Sequence, residues 1–89
     1  MTLSLRHFPS PAATSIARDA LAAQLSVRID ALAQSRQRHR HRLCQRDQQE
    51  IQHVLDRGRM DLCKSAAILT ETTRYVDRFH HHILLKLAA

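Results

Sequence analysis

The fold is decided by residues 62–87, LCKSAAILTETTRYVDRFHHHILLKL. Within this stretch a mostly apolar set of residues recurs at alternating intervals of four and three: Leu62, Ala66, Leu69, Thr73, Val76, His80, Ile83 and Leu87. A heptad pattern of this length is typical of a helix that packs along one face against other helices. The pattern predicts a helix over residues 61–87, with Asp61 as its N-cap.

Two positions of this heptad pattern, Thr73 and His80, are polar. Polar residues inside a helix seam can set its register or its oligomeric state, at some cost in stability. Alternatively, both residues lie at the edge of the apolar stripe. The sequence leaves both interpretations open.

Two amphipathic segments precede this helix. The first begins at Ser10 and Pro11, which fit an N-cap followed by proline at the first helical position. Its apolar side carries Ile16, Leu21, Leu25, Ile29 and Leu32. The second carries Leu43, Cys44, Ile51, Val54 and Leu55. Gly58 then favours a helix end, because glycine readily adopts the left-handed conformation found there.

The segment between the two stripes is polar. Ala33 is the only apolar residue between Leu32 and Leu43, and a helix that is polar all round has nothing to pack against. We therefore predict a break near residues 34–40, which gives helices at about 11–34, 41–57 and 61–87.

The composition favours an all-α fold. The 89 residues include one glycine and two prolines, too few turn-forming residues for a sheet protein of this size. We predict a small antiparallel helical bundle or helical hairpin, made of two long or three shorter helices. It forms a single domain over residues 11–89, preceded by a tail at residues 1–10.

The C-terminal end of the last helix is apolar on more than one side, and a chain of this length has a thin core. A second subunit is the simplest cover for such a surface. We predict a homodimer with an interface formed by Val76, Phe79, Ile83, Leu84 and Leu87.

The positive charge is concentrated in one segment. The net charge is +6, and five arginines fall within residues 33–46, which contain no acid: Arg36, Arg38, Arg40, Arg42 and Arg46. The other nine basic residues nearly balance the eight acids. Such a block suits a nucleic-acid backbone, an acidic protein surface or a solvated connector. The sequence does not choose among the three.

Catalytic, metal and cofactor sites are not predicted. Consecutive histidines such as His80, His81 and His82 point about 100° apart on a helix and cannot converge on one ion. The acids are scattered, and a single glycine does not allow a phosphate-binding loop. We therefore expect a protein without enzymatic activity and without a cofactor.

The sequence also predicts a cytoplasmic protein that does not enter a membrane. No apolar run reaches the ~18–20 residues that a membrane span needs, and the first ten residues do not resemble a signal peptide. In that compartment Cys44 and Cys63 should stay reduced and fill small apolar gaps.

A surplus of apolar residues indicates a protein partner. The residues expected to bind it are Ile68, Leu69, Leu3, Leu5 and Phe8. In size and helix layout the chain resembles small helical anti-activators and secretion chaperones. That resemblance implies a regulatory or adaptor protein that binds a transcription factor or a secretion component. The alternative is a nucleic-acid-binding protein that uses the arginine-rich segment 36–46.

Overall fold

The computed structural model describes residues 11–89, and side chains from residue 15 onward. It contains three α-helices: α1 (Pro11–Arg38), α2 (Gln45–Asp61) and α3 (Ala66–Ala88). A single 3-10 turn, Arg40–Arg42, joins α1 to α2. The helices run up, down and up, and each contacts the other two. The described part of the chain has no strands, which confirms the all-α prediction. Three of the residues predicted to bind a partner, Leu3, Leu5 and Phe8, lie outside the described residues.

One hydrophobic core lies along the common axis of the three helices. It consists of Leu25, Ile29 and Leu32 from α1, Leu43 from the connection, Ile51, Val54 and Leu55 from α2, and Leu69, Val76, Ile83 and Leu87 from α3. The heptad pattern of α3 is therefore the face that packs inside the chain's own bundle. The two polar seam residues, Thr73 and His80, are only half-buried.

This arrangement corrects the predicted dimer interface. Val76, Ile83 and Leu87 are buried in the core of the single chain, because α1 and α2 already cover the seam of α3. A second copy cannot reach them without unfolding the bundle. Of the five residues predicted for the interface, only Phe79 and Leu84 remain accessible.

The helix α1 ends inside the predicted break, at Arg38, four residues later than the predicted helix end at residue 34. Polar contacts with the other helices replace the missing apolar ones in this last turn. The Oγ of Ser35 lies 2.7 Å from Nε2 of His80 in α3. At the next residue, the Arg36 guanidinium donates to Oε1 of Gln52 in α2 at 2.5 Å.

At the other end of α1, Ile16 is 71% exposed and does not belong to the core. Nine residues at 100° each place Ile16 opposite Leu25 on the helix. The first apolar residue of the predicted stripe was therefore wrongly assigned to the buried side, whereas Leu25 is fully buried.

The turn between α2 and α3 also differs from the prediction. Gly58 lies inside α2, which ends three residues later, and no described residue has a positive φ. The N-cap of α3 is Ser65, whose hydroxyl accepts a hydrogen bond from the Ile68 backbone N–H. Asp61 instead accepts a hydrogen bond from the Thr72 hydroxyl at 2.6 Å, which ties α2 to α3.

The two cysteines are both exposed, contrary to the prediction that they fill apolar gaps. Each lies at a connection between helices, where the chain is open to solvent. Cys44 is the N-cap of α2, and its sulfur accepts from the Asp47 backbone N–H at 3.5 Å.

Candidate binding surfaces

Two open grooves lie between neighbouring helices and differ in chemistry. The first, which we call the aromatic groove, has a volume of about 470 Å³ and runs between α2 and α3. Its lining consists of Arg46, Gln49, Glu50, His53, Val54, Tyr75 and Phe79. Because α1 packs on the opposite side of α2 and α3, this groove lies on the face of the bundle away from α1.

The apolar surface of the aromatic groove comes from α3. Tyr75 and Phe79 are half-buried and pack against the core. Ile68 lies seven residues before Tyr75 and therefore on the same flank of α3; its side chain is 38% exposed. Tyr75 and Phe79 line the groove, and Ile68 continues their row two helical turns beyond them, outside the lining.

The α2 edge of the aromatic groove is charged. Arg46 is almost fully exposed and lies 3.4 Å from the Glu50 carboxylate. Further along, the Arg57 guanidinium lies 4.7 Å from the centre of the Tyr75 ring, a cation–π contact. Charged groups of both signs therefore border the apolar row on one side.

The predicted partner-binding residues are separated by the fold. Leu69 is fully buried and contributes to the core, so its assignment to a partner surface was wrong. Ile68 is turned about 100° from it, on the flank of α3 that carries Tyr75 and Phe79, and is exposed. The sequence interpretation missed Tyr75 and His53 as groove residues. The signal was present, because Ile68, Tyr75 and Phe79 share a helical flank beside the heptad seam.

The second groove, which we call the Arg/Gln groove, runs between α1 and α2 and has a volume of about 300 Å³. Its lining consists of Ala33, Arg36, Gln37, Arg40, Gln48, Gln52, Leu55 and Arg59. An adjoining depression is lined by Arg36, Gln45, Gln48, Gln49 and Gln52. Neither set contains an acidic or an aromatic residue.

The five arginines of the predicted basic patch do not form one surface. Arg36 and Arg40 line the Arg/Gln groove, and Arg46 lines the aromatic groove. The Arg42 guanidinium donates to the backbone carbonyl of Leu87 at the end of α3, where a cation also complements the helix dipole. Arg38 is exposed on the outside of α1.

A cross-helix ion pair holds the same end of the bundle. Nζ of Lys86 in α3 lies 3.0 Å from Oδ1 of Asp47 in the first turn of α2. The hydrogen bond from Lys86 lowers the pKa of the Asp47 carboxyl, and the neighbouring Cys44 thiol lowers it further. The same contact raises the pKa of Lys86. Both shifts favour the charged pair.

His80 is the histidine that takes part in the packing of α1 on α3. Partial burial beside Ser35 lowers the pKa of its imidazole, and the nearby Asp77 carboxylate opposes this shift. The neutral form is thus favoured in the folded protein. Within residues 15–89, no three side chains of histidine, cysteine, aspartate or glutamate are grouped closely enough to hold a metal ion.

None of the described helices is both long and apolar enough to cross a membrane. Comparison of the chain with known protein families, with characterised proteins and with solved structures found no match.

Proposed function

We propose that this protein is a non-enzymatic adaptor or regulator that binds an amphipathic helix of a partner protein in the aromatic groove. The observation that carries the proposal is the pair Tyr75 and Phe79 in an open groove between two helices, with the exposed Ile68 continuing their row along α3. A helix laid into such a groove buries its apolar face as the fourth member of the bundle. Aromatic side chains are also the residues that most often dominate binding energy.

The charge of the whole chain indicates the chemistry of the partner. Along the α2 edge Arg46 is paired with Glu50 and Arg57 with Asp61, whereas the chain carries a net charge of +6. A partner helix with acidic residues beside its apolar face would be attracted to the chain and would associate faster at low salt. A segment of a transcription factor or a secretion component is the kind of partner we propose.

We also propose that the adaptor is a homodimer formed through the outer face of α1. Four exposed apolar residues follow one line on this face: Ile16, Ala20, Ala23 and Val27. Their spacing is symmetric about the point between residues 21 and 22. Two antiparallel copies therefore place Ile16 against Val27 and Ala20 against Ala23 in both directions, as a two-fold interface requires. Such a dimer leaves both aromatic grooves open, one on each outer side.

The variant Ile68→Asp tests the proposed partner site. Ile68 occupies the third position of α3 after its N-cap Ser65, where a carboxylate is favourable for the helix dipole. The substitution should leave the fold intact and place a charge in the apolar row. Since an apolar anchor contributes ~2 kcal/mol or more, we expect a partner captured by the wild-type chain to bind this variant at least about tenfold more weakly.

The matched control is Leu85→Asp, because Leu85 is 58% exposed on α3 but is turned about 100° away from the row of Ile68, Tyr75 and Phe79. The captured partner is purified, and its affinity for the wild type and both variants is measured by titration calorimetry, with circular dichroism to confirm folding. The control should bind as the wild type does. Equal affinity of the two variants would show that the groove is not the binding site.

A further inference from the structure

The lining of the Arg/Gln groove is polar and positively charged, which does not suit the apolar face of a protein helix. Its large apolar residue, Leu55, is buried beneath the groove, so the surface offers no exposed apolar anchor of the kind that dominates protein–protein affinity. What it offers instead are guanidinium and amide groups. Both donate hydrogen bonds, and guanidinium groups bind phosphate oxygens in a bidentate manner.

The three arginines of this groove follow its length. Gln48 donates to the Arg40 backbone carbonyl at 3.3 Å, which places Arg40 beside the first turns of α2. Arg36 is bonded to Gln52, one turn further along, and Arg59 lies two turns beyond it. From residue 48 to residue 59 this row covers ~16 Å of helix axis. A row of cations matches a chain of phosphates better than a single phosphate group.

We infer that the Arg/Gln groove binds the phosphodiester backbone of a double-stranded nucleic acid. The duplex form follows from the lining, which holds no aromatic side chain on which the bases of a single strand could stack. The two described aromatic residues, Tyr75 and Phe79, lie on the other groove. This inference is independent of the proposed partner site, because the two grooves lie on different faces of the bundle.

The sequence interpretation had associated nucleic-acid binding with the arginine-rich segment 36–46. The groove assigns that role to a different set of residues. It takes Arg36 and Arg40 from the segment and adds Arg59 from the far end of α2, while Arg42 and Arg46 have contacts elsewhere. Between the arginines, Gln48 donates to the Arg40 and Leu43 backbone carbonyls, and Gln52 donates to the Asp56 carboxylate, which also lies 4.0 Å from Arg59.

The test compares two double variants that remove the same charge from different faces. Arg40→Gln with Arg59→Gln neutralises the groove and leaves the Arg36–Gln52 bond in place. Arg74→Gln with Arg78→Gln neutralises two exposed arginines of α3 that line neither groove. Both variants lower the net charge from +6 to +4. Non-specific attraction to polyanions therefore affects them equally.

Binding of labelled DNA and RNA duplexes of about 20 base pairs is measured with the full chain by fluorescence anisotropy at several salt concentrations. Three phosphate contacts predict a slope of log affinity against log salt of about −3, and each lost contact reduces it by about one unit. We expect the groove variant to bind at least about tenfold more weakly at about 50 mM salt, with the slope reduced to about −1. The α3 variant should stay within about threefold of the wild type.

The same measurement has clear contrary outcomes. Equal losses in the two double variants, or no binding to either duplex at about 50 mM salt, would overturn the inference. So would tighter binding to a single strand of the same length, or equal competition by polyglutamate at matched charge. Ile68→Asp should bind duplex as the wild type does, so failure of the proposed partner site and failure of this inference give different results.

Discussion

A close contact between α1 and α2 depends on one residue, Gly58. A Cβ atom built at this position would lie 2.9 Å from both Cγ1 and Cδ1 of Ile29 in α1. That separation is well below van der Waals contact, and Ile29 is itself buried. The glycine therefore allows α2 to pack closely on α1. The sequence analysis predicted a helix end at Gly58 because the sequence alone does not distinguish a glycine that ends a helix from one that allows a close helix contact.

Gly58→Ala should destabilise the protein. Alanine gains up to ~1 kcal/mol of helix propensity over glycine, but overpacking a buried contact typically costs ~1–3 kcal/mol. We expect a net loss of about 1 kcal/mol in the free energy of unfolding, measured by urea denaturation. The loss should shrink when Ile29→Val removes Cδ1, as a double-mutant cycle would reveal. A more stable Gly58→Ala protein would mean that the two helices are not in close contact.

Among the elements, α3 begins later than predicted, but its buried face was predicted accurately, because its heptad repeat records which side faces the core. Leu69, Val76 and Ile83 are all buried as that repeat requires. The end of α1 was predicted less well. Its last turn is held by Ser35 and Arg36, which contact α3 and α2 respectively. Polar contacts between distant residues leave no periodic signal along the chain.

The packing of α1 on α3 should depend on pH through His80. Because its folded pKa lies below the unfolded value of about 6.5, the unfolded chain binds more protons below that value. The stability that this group contributes is thus present above pH 6.5 and is lost as the pH falls below it. We expect urea midpoints measured between about pH 7.5 and 5.5 to fall less for His80→Gln than for the wild type.

The control for this pH effect is His81→Gln, which removes the neighbouring, exposed histidine. It should retain the wild-type dependence of the urea midpoint on pH. If the urea midpoints of His80→Gln and the wild type fall equally between about pH 7.5 and 5.5, the contact of His80 with α1 does not cause the pH dependence.

At the scale of the whole molecule, the sequence predicts an all-helical fold and the main core residues but leaves open two or three helices and does not predict the surfaces between them. Periodicity gives the buried side of each helix separately. A groove depends on which flanks of two helices become neighbours. Arg59 and Gln48 are eleven residues apart in α2 and join Arg36 of α1 only after folding. The two candidate binding sites therefore became apparent only in three dimensions.

The assembly of the molecule provides the last prediction. Light scattering should give about twice the chain mass of 10.2 kDa at tens of micromolar protein. Ala20→Glu with Ala23→Glu should shift the protein to monomer, because like charges then face each other at the centre of the symmetric α1 contact. Both positions are exposed within a helix, so helicity measured by circular dichroism should be retained.

Leu84→Glu distinguishes this α1 interface from the one predicted on α3. Leu84 is 44% exposed and lies on a different helix from the α1 contact, so the variant should remain dimeric. The C-terminal interface would be favoured if Leu84→Glu were monomeric while the Ala20→Glu, Ala23→Glu double variant remained a dimer. A wild-type monomer at this concentration would contradict both. Ile83 is unsuitable for the same test, because a charge at this fully buried position would unfold the bundle whatever its oligomeric state.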